Sequence, residues 1–154
     1  SDQHLLYCDW TKRDSLLVTQ DEFRSDLKAN YRALARFGFQ RSKTKLFLPP
    51  YEWYNDSIAA WTKEEGLQLI NYTPGTLSHA DYTTPNDKNY RSSDAILQSI
   101  REYEKQGNAG LNGFILLMHV GTSPDRTDKL YDHLDELLTE IKQKGYRIVP
   151  ISKL

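Results

Sequence analysis

A chain of 154 residues has the length of one domain, and its 20 Lys+Arg against 21 Asp+Glu leave a formal charge of -1, which argues against nucleic acid or an anionic membrane as partner. A single cysteine, Cys8, excludes an intrachain disulfide and any cysteine-based metal cluster. No stretch reaches the roughly 18 apolar residues of a membrane span. Aromatic residues make up 12% of the chain, with ten Tyr and three Trp, and several fall in predicted loops, where rings suit stacking on sugar faces or packing beneath the loop.

In chain order, residues 5–10 form a short apolar and aromatic run, a strand or the loop at a strand end. Thr19 with Glu22 three positions on is a capping-box pattern, and Phe23, Leu27, Tyr31 and Leu34 recur at helical spacing as far as Gly38. Residues 45–48 predict a short strand, stopped by Pro49-Pro50 because proline cannot donate to a ladder. After a loop, Asn55 or Asp56 caps a second helix carrying Ile58, Ala59 and Trp61 and ending at Gly66. Residues 67–72 predict the next strand.

The longest irregular stretch runs from Thr73 to about Ser92, and a loop of this length in a compact domain is commonly functional. Ser93 is the expected cap of a helix with Ile96, Leu97, Ile100 and Tyr103, ended near Gly107. Then comes the run Gly113-Phe114-Ile115-Leu116-Leu117-Met118-His119, apolar without alternation, which predicts a strand buried on both faces. It ends on a histidine before a polar loop, where working residues collect in α/β folds. Leu130, Leu134, Leu137, Leu138 and Ile141 mark an amphipathic helix closed by Gly145, with Asp125 and Arg126 as caps of that helix and its loop, and residues 146–150 predict a last strand. This alternation predicts an α/β fold of parallel strands joined by right-handed crossovers, in an open sheet or as part of a barrel. The chain, positions 1–154, reads as a single domain. Ser1 is not an initiator Met and structure is expected almost at once, so the chain reads as a piece of something longer.

Three stretches, in this order, resemble the polysaccharide deacetylases of the NodB-homology type, carbohydrate esterase family four. Leu117-Met118-His119 resembles the family's Leu-x-His motif, followed by an amphipathic helix and Gly145-Tyr146-Arg147-Ile148-Val149, which is similar to the Gly-Tyr-x-Phe-Val ending. Phe47-Leu48-Pro49-Pro50-Tyr51 resembles Phe-Arg-Pro-Pro-Tyr, and Ser1-Asp2-Gln3-His4 resembles the end of the His-Ser-x-x-His metal motif. The resemblance implies the later part of a distorted (β/α) barrel whose first strands precede Ser1. It also implies a divalent metal, zinc or a similar ion, an acetylated carbohydrate as substrate, and a secreted or extracytoplasmic location.

It further implies roles for single residues. His4 would be a metal ligand, His119 the general acid, Leu117 part of the pocket for the acetyl methyl and the Tyr51 N–H an oxyanion donor. Asp81 would orient His119, with Tyr82 in the place of the family's Trp. From the residues themselves, Glu52 and Trp53 after Pro-Pro-Tyr either line a sugar groove or form an aromatic plug of the loop. His79 and His133 match no motif. Two departures stand out: Leu48 occupies the motif's arginine position, and the Thr-Phe-Asp-Asp motif, source of the catalytic base and the metal-binding Asp, is not in the sequence. A lone His4 cannot hold a catalytic metal, because such sites need about three protein ligands. The chain by itself is therefore expected to be inactive, and a degenerate homologue that binds glycans without turnover is the alternative.

Overall fold

The computed structural model describes residues 4–43 and 45–153, so Ser1, Asp2 and Gln3 of the expected metal motif lie outside the described residues. The chain divides into two compact units, Ser1–Asn71 and Tyr72–Leu154.

The first unit is built on helix α1 (Gln20–Ala35) and a parallel pair of strands, β1 (Leu46–Phe47) and β2 (Gln68–Leu69), joined through helix α2 (Asp56–Glu64). The capping box forms as its spacing predicts: Thr19 Oγ1 accepts the Glu22 N–H at 3.2 Å while the Glu22 carboxylate accepts the Thr19 N–H at 2.7 Å. Asn55, not Asp56, caps α2, its side chain accepting the Ile58 N–H at 3.0 Å. β1 and β2 pair Leu46 with Gln68 and Phe47 with Leu69, the strand–helix–strand unit that the order of elements implies. Residues 5–10 do not form a strand of this sheet; Cys8 makes an isolated antiparallel bridge to Leu16.

Tyr7, Phe23, Leu27, Phe47, Ile58 and Leu67 form the core of this unit. Inside it the buried Tyr7 hydroxyl donates to Asp26 Oδ2 at 2.5 Å. Burial, reinforced by the hydrogen bond and the charge of Asp26, pushes the Tyr7 phenol far above its ordinary value. A raised value in the folded state means that this contribution is full below about pH 10 and is lost at higher pH. Tyr7→Phe keeps the ring but strands a buried carboxylate oxygen, so it is expected to cost about 1–3 kcal/mol, read as a lowered urea midpoint with an unchanged slope.

The second unit holds helices α3 (Ser93–Glu104) and α4 (Leu134–Gln143), the latter entered through a 3-10 turn at Leu130–His133. The cap of α3 is Ser92, whose hydroxyl accepts the Ala95 N–H at 3.2 Å; Ser93, the expected cap, is the first helical residue. Ile96, Leu97, Ile100, Leu130 and Leu137 form a second core, and Leu116 and Met118 pack against it. That period of two is the pleat of extended chain.

The run 113–119 nevertheless departs from expectation. Residues 114–119 are half-buried rather than buried on both faces, and neither they nor 146–150 are assigned as strands among the described residues. A strand is defined by its ladder, and here the pairing is with Thr73: its N–H donates to the Ile115 carbonyl at 2.9 Å, and the Ile115 N–H donates to the Thr73 hydroxyl at 3.0 Å. One side of the run is covered by the α3–α4 core, while Ile148 stays 51% exposed. Together these elements make a mixed α/β chain with a small parallel sheet. No helix among the described residues is long and apolar enough to cross a membrane.

Candidate functional site

In the second unit the long loop brings Asp81 to His119. A 3-10 turn, Ser78–Ala80, is closed by the Asp81 N–H donating to the Ser78 carbonyl at 3.2 Å, which sets the carboxylate on a short, rigid backbone. Asp81 is 1% exposed and grips His119 twice: Oδ2 accepts the His119 backbone N–H at 2.7 Å, and Oδ1 lies 2.6 Å from Nδ1 of the ring. A carboxylate so placed holds the proton on Nδ1 and fixes the ring's orientation. The His119 side chain keeps 33% of its surface exposed. Tyr82 stands edge-on to it, ring centroids 5.3 Å apart at 70°. Leu117, two positions earlier on the extended run, is half-buried.

The loop that carries Asp81 is anchored by a residue that local pattern places wrongly. Arg126 is not a cap on the last helix: its side chain is fully buried, and it donates to the Thr83 carbonyl at 2.6 Å and the Arg91 carbonyl at 3.0 Å, with Asp128 at 3.8 Å. Thr83 is tied in turn to the Ala80 carbonyl, 2.6 Å from its hydroxyl, so the anchor reaches the residue next to Asp81. Asp125 only accepts its place in the turn, its N–H donating to Ser123 Oγ at 3.2 Å. His79 stacks on Tyr72 at 5.1 Å, and His133 lies 4.0 Å from Glu136 on α4.

A separate group forms in the first unit. The His4 imidazole lies flat on the Tyr51 ring, centroids 4.2 Å apart and planes within 7°. Tyr51 and Glu52 both take left-handed backbone angles, φ 59° and 55°, two successive non-glycine residues in a region that costs of order 1 kcal/mol or more each. Trp53 lies below, its indole N–H donating to the Asp9 carbonyl at 3.1 Å. Trp10, the last residue of the run 5–10, packs on both Tyr51 and Trp53.

The structure thus brings His119, Asp81 and Tyr82 together in one unit and His4, Tyr51 and Trp53 together in the other. Among the described residues no three His, Cys, Asp or Glu side chains converge as a metal site, so His4 stands as one candidate ligand without a set. Leu48, in the position of the motif's arginine, is 39% exposed.

No protein-family model matches the chain, and no solved structure matches it. Over 109 residues it is 30% identical to a peptidoglycan-N-acetylglucosamine deacetylase of Bacillus cereus, a span covering 71% of this chain and 44% of that protein. The chain thus spans less than half the length of that curated relative, and over this span it is related to a polysaccharide deacetylase.

Proposed function

We propose that the protein carrying this chain hydrolyses acetyl groups from a polysaccharide, with His119 as the general acid and Asp81 as the residue that orients it. The observation that carries this is the buried carboxylate held 2.6 Å from the His119 Nδ1. The likeness to a peptidoglycan-N-acetylglucosamine deacetylase supplies the substrate class, an N-acetylated glycan.

In the hydrolysis a water oxygen bonds to the acetyl carbon, the carbon–nitrogen bond breaks, and a proton must reach the departing amine nitrogen. Nε2 of His119 delivers that proton, and Asp81 balances the imidazolium charge before transfer. Leu117 lies two residues from the acid and would pack against the acetyl methyl, with Tyr82 on the ring's edge bounding the sugar. The Thr-Phe-Asp-Asp motif that supplies the family's base is not in this sequence, and a zinc or similar ion on His4 would need more ligands than the described residues gather around it. Such an ion lowers the pKa of a bound water and polarises the carbonyl.

A second reading, a glycan-binding protein without turnover, is favoured by Leu48 in place of the arginine. One experiment separates the two. Full-length protein incubated with oligomers of N-acetylglucosamine should release free acetate, stop with a chelator and recover with added zinc, and His4→Ala should lower its zinc content by elemental analysis. Oligomers bound with no acetate released would leave the second reading; neither binding nor release would remove both.

A further inference from the structure

We propose that Trp10, presented above Tyr51 and Trp53, is a stacking platform for a pyranose ring of the glycan chain, a subsite that extends the carbohydrate reading given above. Trp10 keeps 52% of its surface in water and Tyr51 42%, so neither ring is there to fill the core. Their centroids lie 5.4 Å apart at 78°, and Trp53 supports Trp10 from 5.5 Å at 41°.

What makes this a platform rather than a loose ring is how firmly it is held. The Asp9 carboxylate accepts the Lys12 N–H at 2.7 Å, the Thr11 N–H at 2.7 Å and the Thr11 hydroxyl at 2.8 Å. The Ser15 N–H donates to the Lys12 carbonyl at 2.7 Å and the Asp9 N–H to the Ser15 carbonyl at 3.0 Å, closing the loop on itself. Trp53 ties the same loop down through Asp9, and the Arg13 guanidinium covers the Trp53 ring at 4.0 Å. An indole fixed in this way loses little freedom on binding, so more of its stacking energy appears as affinity.

The chemistry around the ring selects the ligand. A pyranose offers an apolar C–H face with hydroxyls at its rim; the indole of Trp10 can meet that face, and the exposed Lys12, Arg13 and Asp14 that follow it in the chain carry polar groups of the kind that pair with hydroxyls. An exposed indole held this firmly suits the apolar face of one sugar ring.

The test is a titration of full-length protein with the tetramer of N-acetylglucosamine, followed by the indole N–H signals of Trp10, Trp53 and Trp61 in NMR and by calorimetry. The Trp10 signal should shift, and Trp10→Ala should weaken binding by roughly tenfold, with Trp10→Phe recovering part of it. Equal affinity in Trp10→Ala, movement confined to Trp61, or no binding of the tetramer by the unaltered protein would each overturn the proposal, and so would a Trp10-dependent self-association without sugar binding. Binding is read here without turnover. A failure to release acetate would therefore leave this result standing, and a failure to bind would not touch the role of His119.

Discussion

Asp81→Asn in the full-length protein is expected to lower the rate of acetate release by about 10²–10⁴-fold, with KM for the oligomer changed far less. The substitution is nearly isosteric, and the amide oxygen can still accept the His119 backbone N–H that the carboxylate now accepts at 2.7 Å. What it removes is the charge facing Nδ1: an amide that turns its NH2 toward the ring needs Nδ1 unprotonated, so the imidazolium that would give up a proton from Nε2 is no longer stabilised. His119→Ala should cost at least as much, and the double variant little more than the worse single, because the two groups act as one unit. Neither change should alter zinc content, since neither residue is a proposed ligand. Acetate release by Asp81→Asn at the original rate, with the fold intact by circular dichroism, would remove the dyad from the reaction.

The local parts of this architecture were written in the sequence, and the reason is that they depend on neighbours a few positions away. Thr19 and Glu22 cap α1 because a side chain reaches only its own first turn, and Gly66 and Gly145 follow helix ends because their φ values of 68° and 89° suit a residue without Cβ. The parallel pairing of β1 with β2 followed from a strand–helix–strand order with a crossover long enough for it. Residues 113–119 show the limit. Five successive apolar residues state that a run avoids water, not which partner strand it will find, and pairing is a property of the partner as much as of the run. The Asp81–His119 contact spans 38 positions and was legible only through the resemblance of Leu117-Met118-His119 to a motif. Trp10 and Arg126 had no such signal: one is an exposed ring whose firmness comes from Asp9, the other a cation whose partners are backbone carbonyls, which leave no trace in side-chain pattern.

Arg126→Ala is expected to be among the most destabilising single changes in the second unit, by about 3–5 kcal/mol. The guanidinium is fully buried and joins three segments, the loop at Thr83, the approach to α3 at Arg91 and the turn at Asp128, with the Tyr90 ring beneath its Cζ at 5.2 Å. Truncation leaves two carbonyls without their donor, opens a cavity and deprives Asp128 of its cation. Arg126→Lys should recover only a fraction, since a single ammonium cannot donate in two fixed directions as the planar fork does. The dependence on pH gives the sign of the electrostatic part. Burial pushes the Asp128 carboxyl up, but the Ser93 N–H at 2.6 Å, further hydrogen bonding and the Arg126 charge outweigh it and hold the group below the usual carboxylate range. A lowered value in the folded state contributes stability that is full above about pH 4 and is lost as pH falls through that lower value. Urea midpoints measured from neutral to acid pH should therefore fall for the unaltered protein below about pH 4, and more shallowly for Arg126→Ala, in which one source of the depression is gone. Midpoints that matched across the range would mean that the loop bearing Asp81 is held by its own turns, and that Arg126 is buried without anchoring it.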